Sequence, residues 1–272
     1  MKLVSIGDCV ADGYLDEGVF YPGGQAVNVA ANAMLDGAQR ASFLGILADD
    51  APARHIEGVL EELGVGLERC RRAYGTTPMP GVRIIDGDRV FFRGKRDTVA
   101  HLLRLGISQE DLDFIAGFDI CHTTNEAGID SELGRIHKVV PVSYDFSVGR
   151  GQELLEAICP SIDIAFFSGE GLTDSECVSL AGKAKELGPD IAIVTKGLRG
   201  SIALQDGKLY EQPIVPCQAV DAMGAGDSFA AAFLVSYADS HDVRASLRYA
   251  AERASHTCTV HGAFGHPHAI CP

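Results

Sequence analysis

Short apolar runs alternate with Ala-rich or amphipathic segments along almost the whole chain, and this alternation limits the fold more than any other feature. Leu3–Ile6, Ala41–Leu47, Phe118–His122, Val139–Tyr144, Asp163–Phe167 and Asp190–Thr195 read as strands. An Ala-rich helix opens at Gly24, a second spans Ala51–Leu63, and a short third is capped by Ser108–Asp111. Thr173-Asp-Ser-Glu176 is a capping box that starts a helix running to Leu187. Two further Ala-rich helices are expected over about 225–238 and 242–258. Strands that alternate with helices predict an α/β fold whose mostly parallel sheet is covered on both faces. A chain of 272 residues suits one such domain over 1–272.

Two segments break the rhythm. Gly81–Ile85 and Arg89–Phe92 flank Asp86-Gly87-Asp88, a hairpin signal. Val10–Tyr21 reads as another extended stretch. Segments of about 10–21 and 75–98 are therefore expected to form a small β sheet projecting as a lid, with an ordinary surface hairpin as the alternative.

Composition excludes some partners. The formal net charge is -14 and no Lys/Arg block is visible, which argues against a nucleic-acid partner. No apolar run is long enough to predict a membrane span, and the start of the chain lacks the pattern of a signal peptide. The eight cysteines are scattered without a C-x-x-C pair, so reduced thiols in the cytoplasm are expected rather than a zinc site.

The chemistry concentrates in Asp221-Ala-Met-Gly224-Ala225-Gly226-Asp227, directly before an apolar helix. Small residues permit close backbone approach to a ligand. The first amides of a helix have no internal partner, and the helix dipole favours an anion there. Asp227 beside those amides is placed to take a proton from an attacking hydroxyl. On this segment alone a plain Gly-rich turn with a helix-starting acid stays open. Far upstream, Gly23-Gly24-Gln25-Ala-Val-Asn28-Val-Ala30 places a Gly pair before a helix, with Asn28 able to donate and accept toward a polyol.

Together these segments resemble the two signatures of the ribokinase-like (PfkB) carbohydrate kinases, G-G-x-x-x-N-x-A and D-T-x-G-A-G-D, with Ala222 in place of Thr. The resemblance spans essentially the whole chain. It implies a ribokinase-like three-layer sandwich with a small β lid, and ATP-dependent phosphorylation of a sugar hydroxyl. Asp227 would be the catalytic base, with the amides of Gly224, Ala225 and Gly226 as its anion hole. Asp12, Gly23, Gly24, Gln25 and Asn28 would hold the sugar. Thr195-Lys196-Gly197-Leu-Arg-Gly200 is similar to the family's T-L-G-x-x-G nucleotide loop, and Gly262-Ala263 to its G-A near adenine. Lys196 replaces the usual Leu, and both a phosphate contact and a solvated lysine are open there. The resemblance also implies Mg2+. The family's N-x-x-E is absent, however: Ser168 and Gly171 stand at its two ends, leaving Glu170 as the candidate ligand. Asp221 and the loop near Gly262 are candidates for a monovalent cation, and a homodimer through the lid is a family option.

Within the family the resemblance is to the fructoselysine 6-kinase branch. It is carried by Ile6–Asp12, Asp88–Phe91, Tyr144–Ser147, the missing N-x-x-E and His261–Phe264. This implies a fructosamine substrate whose zwitterionic tail meets charged lid residues, Arg93 foremost among Arg93, Lys95, Arg96 and Asp97. Fructose, ribose or a nucleoside as acceptor, and a non-catalytic sugar sensor on the same fold, are the alternatives.

Overall fold

The computed structural model describes residues 1–85, 88–92 and 94–270. In chain order the strands are β1 (Lys2–Gly7), β2 (Val10–Tyr14), β3 (Val19–Gly23), β4 (Arg40–Ala48), β5 (Arg71–Ala73), β6 (Gly81–Ile85) and β7 (Asp88–Phe92). They continue with β8 (Ile120–Thr124), β9 (Val142–Asp145), β10 (Ile164–Ser168), β11 (Ile191–Thr195), β12 (Ser201–Gln205), β13 (Lys208–Gln212) and β14 (His268–Ala269). The helices are α1 (Gln25–Leu35), α2 (Ala51–Glu62), α3 (Val99–Leu102), α4 (Gln109–Ile115), α5 (Leu133–Ile136), α6 (Gln152–Ile158), α7 (Asp174–Leu187), α8 (Ala225–Ser240) and α9 (Val243–Thr257).

The large sheet runs β13-β12-β11-β10-β9-β8-β1-β4-β5 among the described residues. From β11 to β5 its neighbours pair in parallel, and β12 and β13 extend it as an antiparallel hairpin. The period of two along β1 sorts its side chains: Leu3 packs toward α1, α8 and α9, whereas Val4 and Ile6 pack toward α4 to α7. The result is the expected three-layer sandwich. Apolar residues on both faces explain why these strands read as near-continuous hydrophobic runs.

Chain order reverses at β1, with β4 on one side and β8 on the other. In open α/β sheets ligands bind outside the carboxyl ends of the strands at such a point. Gly7-Asp8, Asp145, Ser168 and Thr195 all stand at that edge. A second sheet, β14-β3-β2-β6-β7, projects beside it. It contains both segments expected to form the lid. The Asp86-Gly87 turn itself lies outside the described residues.

Three features differ from the sequence reading. The β12–β13 hairpin forms one edge of the large sheet, and His268–Ala269 pairs with β3 in the lid. The hairpin does carry a local signal, the Asp206-Gly207 turn with both residues at positive φ, which the sequence reading leaves unused; β13 is mostly exposed, and β14 is two residues long. The strand expected from Val139 starts at Val142 instead, because the Val139 and Val140 amides donate to Ile136 O and complete the turn after α5. Among the described residues no helix is long and apolar enough to cross a membrane.

Candidate active site

The N-termini of α1 and α8 meet at the switch point, and one hydrogen bond joins them. Asn28, in the first turn of α1, donates Nδ2–H to Asp227 Oδ2 at 2.7 Å. Both residues are buried. Asn28 Oδ1 has no protein partner among the described residues, so this side chain holds the carboxylate with one end and offers an acceptor with the other. Asp227 is the third residue of α8, whose N-cap Gly224 has φ 70°, the left-handed region. The amides of Gly224 and Gly226 have no protein acceptor among the described residues. The Ala225 amide donates to Ala222 O at 3.3 Å, which closes the turn.

Asp221 organises this turn. Its Oδ1 accepts the Met223 amide at 2.8 Å, and its Oδ2 accepts both the Gly262 amide at 2.9 Å and the Tyr14 hydroxyl. One buried carboxylate thus ties the catalytic turn, the Gly262 loop and lid strand β2 together. Protein donors engage both its oxygens, so it acts as a clamp between these three segments. Gly262 and Ala263 also belong to this clamp. A Cβ on Gly262 would lie 2.7 Å from the Tyr21 ring, and Ala263 is buried against Gly224.

Upstream, Asp8 accepts the amides of Gln25 at 3.1 Å and Ala26 at 3.2 Å, which caps α1 from outside the helix. Gly23 and Gly24 sit tightly under this arrangement: their added Cβ atoms would lie 2.1 Å from Asp12 Oδ2 and 2.7 Å from Asp8 O. Gln25 Oε1 is buried and has no partner among the described residues. Asp8 and Asp145 lie within segments that carry the resemblance, Ile6–Asp12 and Tyr144–Ser147, but were given no role there. Asp145 ends β9 and Asp8 follows β1, both at the carboxyl edge of the parallel sheet.

Four carboxylates therefore cluster here, Asp12 and Asp227 buried and Asp8 and Asp145 half-buried. Burial raises Asp227 well above the ordinary carboxylate value. The Asn28 hydrogen bond opposes that shift, and Asp145, Asp8 and Asp12 reinforce it. Burial, then Asp8 and Asp221, pushes Asp12 up to about 7. Burial pushes Asp145 up to about 6 against the pull of the Ser147 amide. An unfolded Asp titrates near ~4. Between that value and about 7 the folded chain holds a proton at Asp12 that the unfolded chain has released. Unfolding free energy then falls as pH rises through this window, and Asp145 adds the same sign up to about 6. The ligand-free protein is accordingly expected to lose melting temperature between about pH 5 and pH 7.5, with a smaller slope in Asp12→Asn. A wild-type melting temperature that rises across that range, or a slope unaltered in the variant, would contradict this account.

On the nucleotide side, Thr195–Gly200 follows β11 and is closed by Lys196 N–H to Gly200 O at 2.7 Å. Gly197 faces open space, whereas a Cβ on Gly200 would lie 2.1 Å from Gln212 O. Thr195 Oγ1 donates to Phe167 O. The Lys196 side chain is neither solvated nor free: it is 7% exposed and pairs with Asp174 at 3.2 Å, as does Arg199 at 2.6 Å. Glu170 is exposed after β10. Among the described residues no group of three or more His, Cys, Asp or Glu side chains gathers as a metal site. Arg93 lies outside the described residues. Cys9, Cys70, Cys121, Cys159, Cys177 and Cys217 are free thiols.

Comparison with known proteins gives this geometry its context. Residues 147–268 match the pattern of the pfkB family carbohydrate kinases. The chain is 40% identical over 267 residues to the fructosamine kinase FrlD of Bacillus subtilis (strain 168), across 98% of this chain and 94% of that protein. It is 29% identical over 264 residues to the fructoselysine 6-kinase of Escherichia coli (strain K12), across 96% of this chain and 99% of that one. Among solved structures, Arabidopsis thaliana ribokinase complexed with ribose and ATP superposes with a TM-score of 0.81 at 25% identity, covering 97% of this chain and 94% of that chain. The fructokinase of Xylella fastidiosa with bound ATP shares the fold, with a TM-score of 0.79 at 19% identity over 97% and 94% of the two chains. Likeness to the first of these proteins over nearly the full length of both, with both glycine-rich helix starts in place, means that the chain belongs to the pfkB family and is an ATP-dependent carbohydrate kinase.

Proposed function

We propose that this kinase phosphorylates the 6-hydroxyl of a fructosamine, with Asp227 as general base. The observation that carries the reading is the Asn28–Asp227 hydrogen bond between two helix N-termini. This contact supports the reading because Asn28 Oδ1, as acceptor for a sugar hydroxyl, and Asp227, as base for that hydroxyl's proton, would then act side by side. Asp12, Asn28 and the Gly23–Gln25 turn hold the sugar. Asp227 takes the proton as the hydroxyl oxygen attacks the γ-phosphorus, and ADP leaves. The Gly224 and Gly226 amides and the dipole of α8 stabilise the phosphoryl oxygens during transfer.

The carboxylate cluster suits a base, because a pKa raised toward working pH strengthens proton abstraction. The absence of a protein metal cage among the described residues fits a Mg2+ ion that arrives on the ATP phosphates and keeps several waters. We assign Glu170 as the carboxylate beside it. When bound, the ion supplies charge neutralisation at the phosphates. Nucleotide contacts fall to Thr195, Gly197 and Gly200, whereas the Lys196–Asp174 pair shapes the wall of that loop.

The test is ADP release with fructoselysine beside fructose, ribose and adenosine. Fructoselysine is expected to give the highest kcat/KM of the panel. A higher value for a plain sugar or the nucleoside would replace the substrate assignment, and sugar binding without ADP release would point to a sensor.

A further inference from the structure

A cavity of about 330 Å³ opens between the start of β2 and the segment that follows β7. Val10, Met79 and Pro80 form its apolar side, and Lys95, Arg96 and His101 its polar side. It lies on the active-site side of the lid. Val10 and Asp12 are two residues apart on one strand, so they share a face about 7 Å apart. Asp12 in turn is electrostatically coupled to Asp8 and Asp227 in the sugar pocket.

The segment that carries the two cations is anchored at both ends. Before it, a Cβ on Gly94 would lie 2.4 Å from Met79 O, so the two backbones are in contact. Residues 78–80 are themselves bonded to β2, through Ala11 N–H to Pro78 O and Gly13 N–H to Pro80 O, both at 2.9 Å. After it, Thr98 and Val99 are buried, and the Val99 amide donates to Thr76 O at 3.0 Å. Lys95 and Arg96 therefore project from a fixed position. Neither has an ion pair or side-chain hydrogen bond among the described residues, and Asp97, next in sequence, pairs with neither. Arg69, Arg71, Arg72, Arg199 and Arg253 sit on carboxylates, whereas Arg104, Lys138 and Lys183 are solvated; Lys95 and Arg96 differ from both groups in lining one cavity together. In a chain of net charge -14, two adjacent unpaired cations facing a cavity imply an acid supplied from outside the chain.

We infer that Lys95 and Arg96 bind the carboxylate of the amino-acid substituent on the fructosamine, while Val10, Met79 and Pro80 cover its hydrocarbon. This rests on the fructosamine reading above. The sugar end lies at Asp12 and Asp227, and the substituent on C1, remote from the 6-hydroxyl, extends along the face of β2 into this cavity. An Arg and a Lys side by side suit a carboxylate, one as a planar fork and the other as a point charge.

The experiment compares two fructose adducts that differ only in this group, those of glycine and of methylamine. Wild-type enzyme is expected to prefer the glycine adduct by about tenfold or more in kcat/KM, mostly through KM, as suits a charged hydrogen-bonded contact. In Lys95→Gln/Arg96→Gln that ratio is expected to fall to about one, whereas Lys95→Arg retains it. Equal use of both adducts by wild type would overturn the carboxylate site and leave the fructosamine reading standing. A preference that survives the double substitution would also overturn it. If neither adduct is turned over while a plain hexose is, the fructosamine reading fails and takes this inference with it.

Discussion

Asp227→Asn is expected to lower kcat by about 10²–10⁴-fold, the range typical of a lost general base, with only a modest change in ATP affinity. The substitution keeps shape and size, so the packing of α8 is preserved and the loss reads on chemistry. Binding of ATP depends on the Thr195–Gly200 loop and the helix amides, neither of which the substitution removes. The pH profile supplies a second readout. Burial raises Asp227, and its carboxylate neighbours Asp145, Asp8 and Asp12 add to that rise. The acid limb of wild-type kcat/KM should therefore titrate with an apparent pKa above the ordinary carboxylate value, and that pKa belongs to the coupled group. The limb should flatten in the residual activity of Asp227→Asn. Near-normal turnover in the variant would remove Asp227 from the mechanism.

Gly224→Ala is expected to damage both stability and rate. The residue has φ 70°, which an L side chain adopts at a cost of roughly 1–3 kcal/mol. Its Cβ would also lie 2.2 Å from Ala263 Cβ and 2.7 Å from Ala263 Cα, so the start of α8 or the Gly262 loop must shift. A drop in melting temperature of roughly 5 °C or more follows. Because Asp221 ties both segments to Tyr14, the shift reaches the lid and misplaces the carboxylate of Asp227. A loss of about 10²-fold in kcat is expected from such a displacement. Gly226→Ala is the informative contrast. Its Cβ meets nothing within 4 Å, so the fold should tolerate it, and a helical Gly→Ala change tends to stabilise. If Gly226 leaves room for the phosphoryl group, this variant keeps its melting temperature and loses activity. Full activity in Gly226→Ala would show that the close approach is elsewhere.

The sequence by itself determined the architecture and the two halves of the site. Period-two apolar runs, the Thr173–Glu176 capping box and two glycine-rich helix starts are local signals, and each depends on a few neighbouring residues. They were enough to expect Asp227, Asn28 and Asp12 in one site, and the fold brings Asn28 onto Asp227 with Asp12 within electrostatic reach. Tertiary structure decided what depends on distance and burial. Asp8 and Asp145 look like ordinary strand ends until parallel pairing brings them beside Asp227. Asp221 is a plain acid in the motif, and only the folded chain gives it donors from Tyr14, Met223 and Gly262. Lys196 had two open readings, and the fold pairs it with Asp174 on α7, a partner that no local signal marks. The protonation of the carboxylate cluster was equally invisible, because a pKa is set by surroundings that only folding assembles. A motif names the groups that reach the substrate, while the groups that hold and charge them come from segments distant in the chain.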